Sequence, residues 1–477
     1  MRGSWFLFCR SLLAVGGLVL VGGCAAYPPV PATPVAALAR HDEAVIDRQA
    51  IRARVLALAP DAARPASGWD RLDYFVAAIL TNPAIAAQRA ALETAAARAR
   101  AAHAPPTGPT LTLTGEYARD AAASSPWLIG GAVDIPLDQG GRRAARLALA
   151  DIATLGARYD LAETVWQTRQ SVRGALVSAL IAQRQITLLG QLADLRARQV
   201  AALERRLAAG EIGRSEAERI RSEGVNVTRR QRDAEGAARQ ADQSLAAAIG
   251  VRPEALSGIT SVWPDFDAPP DPAVATDAEA RRQAILSRAD VLHALADYQA
   301  AEATLRGELA RQYPQITVSP GYTWERGLVK IPVALGLALP PLDFNRRAIA
   351  AAVAARSEAG RKLDVVVSAA AAAIDGALAE ARAARAALAE VRTRERPLAE
   401  RLAATAARAL AAGATDRSDW ASAQAGAVEA ALAELDALSR VHAADAALEN
   451  ALRRPVAGPE LAIRQTADDL VSGERPK

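Results

Sequence analysis

Two stretches of the chain alternate apolar residues with small or polar ones, whereas most of the rest repeats apolar residues at helical spacing. In the later stretch, Ile316–Tyr322 alternates in this way, and every second residue from Val333 to Leu339 is apolar. Alternation with a period of two is typical of a β-strand that has one apolar face. Residues 325–327 supply a turn between the two runs, so the pattern predicts a β-hairpin over about residues 315–340.

The earlier stretch repeats this pattern about 205 residues upstream and predicts a first hairpin over about residues 110–136. The corresponding apolar pairs are Leu111 with Ile316, Leu113 with Val318 and Tyr117 with Tyr322; Pro136 corresponds to Pro340 at the strand-to-helix exits. A third match joins residues 207–216 (LAAGEIGRSE) to residues 410–419 (LAAGATDRSD). The three matches have sequence offsets of 205, 204 and 203 residues, and this agreement within two residues indicates an internal tandem repeat.

Long helices are predicted after each hairpin. Apart from three glycines, no helix-breaking residue interrupts Arg142–Gly210, and a helix of that length measures about 100 Å at 1.5 Å per residue. The second repeat predicts a matching helix over Arg346–Ala412, bent at Pro397. Each hairpin is also preceded by a shorter predicted helix, in about residues 69–103 and 277–311.

These elements divide the chain into six segments. Residues 1–23 are a signal peptide, with an apolar run after basic residues. The sequence around Cys24 resembles a bacterial lipobox and predicts lipidation of Cys24; ordinary cleavage beside an incidental cysteine is the alternative. The remaining segments are a tether (24–68), repeat 1 (69–262), a Pro-rich linker (263–276), repeat 2 (277–454) and a polar, frayed C-terminal tail (455–477).

Composition limits the possible chemistry. The chain of 477 residues is 51% hydrophobic but only 4% aromatic, and alanine supplies much of the apolar part, which suits closely packed helices. Its four histidines have no metal-ligand spacing, and both cysteines lie within the first 24 residues. The arginines alternate with acids at helical spacing, which favours solvated helix faces over nucleic-acid binding. The sequence thus predicts no enzyme, no metal site and no cofactor.

The two hairpins predict partnership with other copies of the chain. Each predicted strand has about the 9–11 residues of a tilted membrane-spanning strand. Four strands do not close a barrel, and an open strand edge is not tolerated in lipid. Three copies would pool 12 strands into a pore-sized barrel. We therefore expect a homotrimer whose strands contact outer-membrane lipid and whose helices form a tube on one side.

The duplicated plan of hairpin, long helix, turn and helix resembles the TolC family of outer-membrane efflux proteins. The resemblance covers about Trp69–Leu452 and rests on the paired order of its motifs, including both proline exits and both AAG turns. It implies a mainly α fold with a small β part: a trimeric periplasmic α-barrel below a 12-stranded outer-membrane β-barrel. The sequence around the second hairpin is similar to the heavy-metal, Czc-type branch.

The resemblance also implies two sites at the turns. The periplasmic tips, which would dock an adaptor protein, correspond to Arg206, Gly210 and Ser215 and to Arg408, Gly413 and Ser418. A periplasmic gate would use Glu216 and Asp419, with Arg214 and Arg417 near enough to pair with them. The family's basic gate residue is replaced here by Thr415, so any closing bond must differ. Ordinary turn glycines and helix caps are the alternative interpretation.

The predicted function is a passive exit duct of a tripartite efflux system. An inner-membrane pump, of the resistance-nodulation-division type, and a periplasmic adaptor would deliver substrate, with heavy-metal cations as one candidate. Efflux of drugs or other organic molecules, or type I secretion, are alternatives within transport. A periplasmic coiled-coil scaffold or adaptor lipoprotein is the alternative from another class, although such a protein gains nothing from membrane-length strands.

Overall fold

The computed structural model describes residues 32–60, 67–104, 108–119, 125–138, 141–271, 278–325 and 327–463. It confirms a mainly helical protein with one small sheet. The predicted signal peptide and Cys24 lie outside the described residues. Of the described residues, those up to Ala44 belong to one compact unit, and those from Val45 onward belong to a second.

The helices follow the order of the sequence pattern. They are α1 (Pro34–Asp42) in the first unit and, in the second, α2 (Arg48–Leu58), α3 (Arg71–Thr81), α4 (Pro83–Ala102), α5 (Arg142–Ala208), α6 (Arg214–Ile249), α7 (Ala278–Leu286), α8 (Ala289–Ala310), α9 (Arg346–Glu390), α10 (Arg396–Ala411) and α11 (Arg417–Leu452). Short 3₁₀ turns occupy Pro253–Leu256 and Pro459–Ala462.

Helix α5 organises the second unit. It has 67 residues and is therefore about 100 Å long. Near the sheet it packs against α4 and α8, and farther along it packs against α6 and α11. Helix α9 packs against α8 and α11, and α10 packs against α11. A helix of this length gains its stability from neighbours on its flanks rather than from propensity alone.

The strands form one antiparallel sheet. They are β1 (Thr110–Tyr117), β2 (Trp127–Leu137), β3 (Gln315–Glu325), β4 (Leu328–Lys330) and β5 (Val333–Ala338). Strand β2 pairs with β1 on one side and with β3 on the other, so the two hairpins share a sheet. The partners of β3 on its second side are β4 and β5. Pro136 lies within β2, and Pro340 follows β5 by two residues.

The second strand of the second hairpin is divided, which the sequence pattern did not predict. Strands β4 and β5 are separated by Ile331 and Pro332. Proline has no N–H to donate to the ladder, so pairing is interrupted there. The Pro332 carbonyl still accepts a hydrogen bond of 2.8 Å from the Gly321 N–H, which keeps both pieces in line along β3.

The predicted helix over residues 346–412 is not continuous. A π-helical turn, Val391–Glu395, separates α9 from α10 immediately before Pro397. A proline inside a helix lacks the N–H that bonds to the preceding turn, and its ring collides with the carbonyl four residues earlier. The wider π turn accommodates this break while the chain continues in the same helical sense. The second short helix is also divided, at Ser287 and Arg288 between α7 and α8.

The tether and the tail, which flank the two repeats, both contain regular structure. The tether contains α1, which Thr33 caps, and α2, which Asp47 caps; α2 buries Ile51, Val55 and Leu58. The description of the tail as frayed is wrong for residues 455–463. Its 3₁₀ turn places Glu460 in the interior at 3% exposure, where arginines compensate its charge.

Candidate functional site

The turn between α5 and α6 has a geometry that only glycine adopts easily. Gly210 has φ +75°, in the left-handed region that costs other residues about 1–2 kcal/mol. Its N–H donates to the Leu207 carbonyl at 3.0 Å, and the Glu211 N–H donates to the Arg206 carbonyl at 2.9 Å. These two bonds are the Schellman arrangement, which satisfies the last carbonyls of a helix.

The turn between α10 and α11 repeats this geometry. Gly413 has φ +69°, its N–H donates to the Leu410 carbonyl at 3.1 Å, and the Ala414 N–H donates to the Ala409 carbonyl at 2.8 Å. The helix that follows is capped differently from its counterpart. Asp416 accepts the Asp419 N–H at 2.8 Å, whereas Gly213 offers α6 no side-chain cap.

Arg206 joins the two turns. Its Nη1 lies 2.7 Å from Asp416 Oδ2, and its Nε lies 3.4 Å from Glu211 Oε2. The Arg206 and Asp416 side chains are 38% and 39% exposed, so solvent screening keeps the stabilisation below about 1 kcal/mol. The bridge therefore fixes the relative position of the turns more than it stabilises the fold. The sequence did not predict this bridge.

The structure brings together only part of the predicted gate. Glu216, Asp419, Arg214 and Arg417 are all exposed at the turns. Asp419 accepts a hydrogen bond of 3.1 Å from the Thr415 hydroxyl. Among the described residues, however, no acid–base pair within 4.0 Å joins any of the four to a partner. The predicted pairing of these arginines with these acids is thus not formed within one chain.

The remaining tip residues differ in accessibility. Ser215 is exposed, and Arg408 is exposed with its guanidinium donating to the Thr405 hydroxyl at 3.2 Å. Ser418 is only 6% exposed and lies inside the helix pair. An open groove of about 580 Å³ runs beside the second turn, between α10 and α11. Asp419 and the half-exposed Leu402 lie on its wall.

At the other end of the long helices, one face of the sheet is apolar throughout. The strand registers place these side chains on the same side: Leu111, Leu113, Tyr117, Trp127, Ile129, Val133, Ile135, Ile316, Val318, Tyr322, Trp324, Val333, Leu335 and Leu337. Many are more than half exposed, Leu113 at 76% and Leu335 at 62% among them. Four aromatic rings lie near the turns, where Tyr117 and Trp127 meet edge to face at 4.9 Å. An exposed apolar area of this extent marks an interaction surface.

A buried ionic network ties α3, α5 and α11 to the C-terminal 3₁₀ turn. Arg169 Nη1 lies 2.8 Å from Glu449 Oε2, and its Nη2 lies 3.2 Å from Glu460 Oε1. Burial by itself raises the pKa of Glu449, but Arg169 and Arg173 outweigh that effect and hold the pKa below its usual value. Sequence reasoning missed this network because its members lie hundreds of residues apart.

His442 lies beside this network without a charge. One ring nitrogen, Nε2, is 2.8 Å from the Phe266 carbonyl, and the ring stacks on Phe266 at 4.3 Å between centroids. Burial lowers the pKa of His442 to about 4, and the nearby Arg173 and Arg71 add to the effect. The Trp263 ring packs against His442 at 5.2 Å. The linker residues around Trp263 and Phe266 are thereby anchored on α11.

Two further features concern metals and membranes. Among the described residues, no cluster of three or more His, Cys, Asp or Glu side chains could hold a metal ion. No single described helix is long and apolar enough to cross a membrane, although α3 and α4, bent by 53° at their junction, meet the criterion as a pair. Most of α3 is buried inside the protein, as the core helix of many proteins is.

Comparison with known proteins finds a family model that matches part of the chain and solved structures that share its fold. Residues 75–251 match the family model described as outer membrane efflux protein. The cobalt-zinc-cadmium resistance protein CzcC of Cupriavidus metallidurans is 29% identical over 215 residues, which is 45% of this chain and 50% of that protein. The match thus spans about half the length of this curated relative.

Two solved structures share the fold over most of the chain. The outer membrane protein VceC of Vibrio cholerae is 17% identical with a TM-score of 0.65, and the superposition covers 80% of this chain and 96% of that one. For CusC the identity is 15% and the TM-score 0.62, with 83% of this chain and 99% of that one covered.

Proposed function

We propose that this chain is a member of the outer membrane efflux protein family, whose model matches residues 75–251, and that three copies form a channel through the outer membrane. The sheets would close into a 12-stranded β-barrel in the lipid, and the helices would extend into the periplasm as an α-barrel. The channel is a passive exit duct. An inner-membrane pump supplies the energy, and a periplasmic adaptor connects that pump to the duct.

The observation that carries this proposal is the sheet, with its apolar face and its two unpaired edges. Within the described residues β1 has a partner on one side, and β4 and β5 have β3 on one side. An open edge leaves N–H and C=O groups that lipid does not satisfy, at several kcal/mol each. A scaffold protein in water gains nothing from exposing Leu113 and Leu335, which disfavours that alternative.

The registers of the two hairpins support closure by identical copies. The pair Leu111–Val133 in the first hairpin corresponds to Ile316–Leu337 in the second, and Thr110–Asp134 corresponds to Gln315–Ala338. If the hairpins are repeats, the β2–β3 junction is a template for the junction between copies. The in-chain pair Ala132–Gly321 then predicts that Gly336 pairs with Glu116 of the next copy.

The contact where the sheet joins the helices would recur between copies in the same way. Arg142 begins α5 and donates to the Tyr313 carbonyl at 2.7 Å, near the end of α8. Its counterpart in the second repeat is Arg346, which begins α9 and is exposed. In the trimer, Arg346 would reach the end of α4 in the next copy. The contacts between the two repeats of one chain would thus recur at each junction between copies.

We assign the two turns to the periplasmic tips. The matching glycine geometry and the Arg206–Asp416 bridge hold the two turns of one copy side by side, which suits them to dock the adaptor as a unit. Glu216 and Asp419 are exposed near the turns, and among the described residues neither has a cationic partner within 4.0 Å. Three copies would place six carboxylates around the entrance. Their mutual repulsion would favour an open gate, and their negative charge would attract cations.

The substrate class that we propose is heavy-metal cations. The support is the similarity to CzcC, a protein of cobalt, zinc and cadmium resistance, over half its length. On this basis the pump is of the resistance-nodulation-division type. Export of organic molecules is the alternative, and the likeness in fold to VceC, at 17% identity, does not distinguish the two. A lipid on Cys24 would anchor the mature chain to the same membrane.

The purified protein in planar bilayers should give stepwise single-channel currents that prefer cations. The double variant Glu216→Gln with Asp419→Asn should change the conductance and weaken this preference, because the entrance loses its carboxylates. Glu218→Gln is the matched control, since Glu218 is paired with Arg221 at 2.6 Å one turn away. Unchanged currents in the double variant remove the gate assignment. A folded trimer that conducts no current contradicts the channel itself.

A further inference from the structure

The sheet face opposite the apolar one is lined mainly by small and polar side chains, and it carries three carboxylates, Glu116, Asp134 and Glu325. The alternation that sends Leu111 and Leu113 to one side sends Thr110, Thr112 and Thr114 to the other. On β2 the same side has Gly130, Ala132 and Asp134. In a barrel whose apolar face meets lipid, this polar face lines the aqueous lumen. Asp134 therefore faces the path of whatever the channel conducts.

Asp134 is held in place by hydroxyl groups from both neighbouring strands. Ser319 on β3 donates to Asp134 Oδ1, and Thr112 on β1 donates to Oδ2 at 3.1 Å. Among the described residues, no basic side chain lies within 4.0 Å of it. The charge of Glu325, by contrast, is compensated by Lys330 on the same sheet. Asp134 is thus an oriented carboxylate whose charge no basic side chain among the described residues compensates within 4.0 Å.

We propose that Asp134 is a charge-selecting residue of the outer-membrane segment, favouring cations over anions in transit. This inference rests on the proposed trimeric channel, in which three copies of Asp134 lie at one level of the lumen. Charges separated by more than about 10 Å are screened at 0.1 M salt, so three carboxylates act on passing ions most strongly at low ionic strength. The Thr, Ser, Gly and Ala side chains around Asp134 carry no charge, whereas Glu116 and the Glu325–Lys330 pair lie on the same face nearer the turns.

The internal repeat supplies a control position for this proposal. The strand pairs Thr110–Asp134 and Gln315–Ala338 are equivalent in the two hairpins. Ala338 therefore occupies in the second hairpin the place that Asp134 occupies in the first, on the same face of the sheet. Ala338 is exposed in the single chain, so a longer side chain there has room. A carboxylate at Ala338 should reproduce the effect of Asp134.

The test is the reversal potential of the reconstituted channel across a KCl gradient at low salt. Asp134→Asn removes the charge and still allows both hydrogen bonds, because its oxygen accepts from one hydroxyl and its amide group donates to the other. It should lower the potassium-to-chloride permeability ratio about twofold or more at low ionic strength. Ala338→Asp should raise the ratio. The combined variant, Asp134→Asn with Ala338→Asp, should return to about the wild-type value.

The outcomes separate this inference from the function on which it rests. Wild-type channels that conduct, with a permeability ratio unaffected by both Asp134→Asn and Ala338→Asp, overturn the role of Asp134 and leave the channel intact. Absence of any current from folded wild-type trimers overturns the proposed function instead. A loss in Asp134→Asn that the combined variant does not restore assigns Asp134 to the structure of the sheet rather than to selectivity, and this also overturns the proposal.

Discussion

Replacing Glu449 by alanine should lower the free energy of unfolding by about 3–5 kcal/mol, the usual cost of removing one partner from a buried ion pair. Glu449 is 0% exposed and lies 2.8 Å from Arg169, which is itself 3% exposed. Without Glu449, the guanidinium of Arg173, which lies 3.6 Å from the same carboxylate, loses a compensating charge in the interior. Thermal and denaturant unfolding of the refolded protein would measure the loss.

The matched control is a surface pair of the same chemistry. Arg229 and Asp233 lie 2.7 Å apart on α6, with side chains 64% and 63% exposed. Arg229→Ala should change stability by no more than about 0.5 kcal/mol, because solvent screens an exposed pair. A loss below about 1 kcal/mol for Glu449→Ala would show that the buried network contributes little.

Stability should also fall as the pH is lowered from 7 to 5, and His442 should account for about 2 kcal/mol of that fall. The pKa of His442 is about 4 in the folded protein, below the ordinary histidine value of 6.5. The unfolded chain therefore binds a proton first, so the stabilisation is complete above pH 6.5 and is lost progressively as the pH falls towards 4. Burial is the main cause, and Arg173 and Arg71 repel the proton further.

His442→Gln isolates this contribution. The variant lacks the titrating ring, so the difference between its stability and that of the wild type should shrink between pH 7 and pH 5. Carboxylates such as Asp445, whose pKa burial raises, titrate in both proteins and cancel in the comparison. A difference independent of pH over this range would contradict the buried, neutral state of His442.

Local patterns predicted most of the long helices and the strands of the fold. Each signal was local, because it depends on residues that are close together in the sequence. These signals were the alternation along β1–β3 and β5, the absence of breakers in α5 and the glycines at both turns. The π turn before Pro397 and the strand break at Pro332 both depend on how the chain accommodates a proline. The sequence predicted a bend at Pro397 but no break in the strand at Pro332. The ordered α2 depends on burial of Ile51 and Val55 against distant residues.

Contacts across the sequence were not predictable in this way. Arg206 and Asp416 are 210 residues apart, and Arg169 and Glu449 are 280 apart. Arginines and acids are frequent throughout this chain, so no local signal distinguishes a buried partner from a solvated one. The same limit explains why Arg214 and Arg417 were matched with the nearest acids, which the structure does not pair with them. Three-dimensional packing decides these partners.

Disulfide trapping between copies tests the central claim, that neighbouring copies close the sheet by joining β5 to β1. Gly336→Cys with Glu116→Cys places two thiols at the predicted pair, and a side chain at Gly336 makes only ordinary contact, 3.6 Å from Thr317. Gly336→Cys with Thr110→Cys is the control, displaced six residues or about 20 Å along the strand. Oxidation should link the first variant into covalent trimers and leave the control unlinked. Monomers from both variants, or open-ended polymers from the first, would contradict the closed trimer.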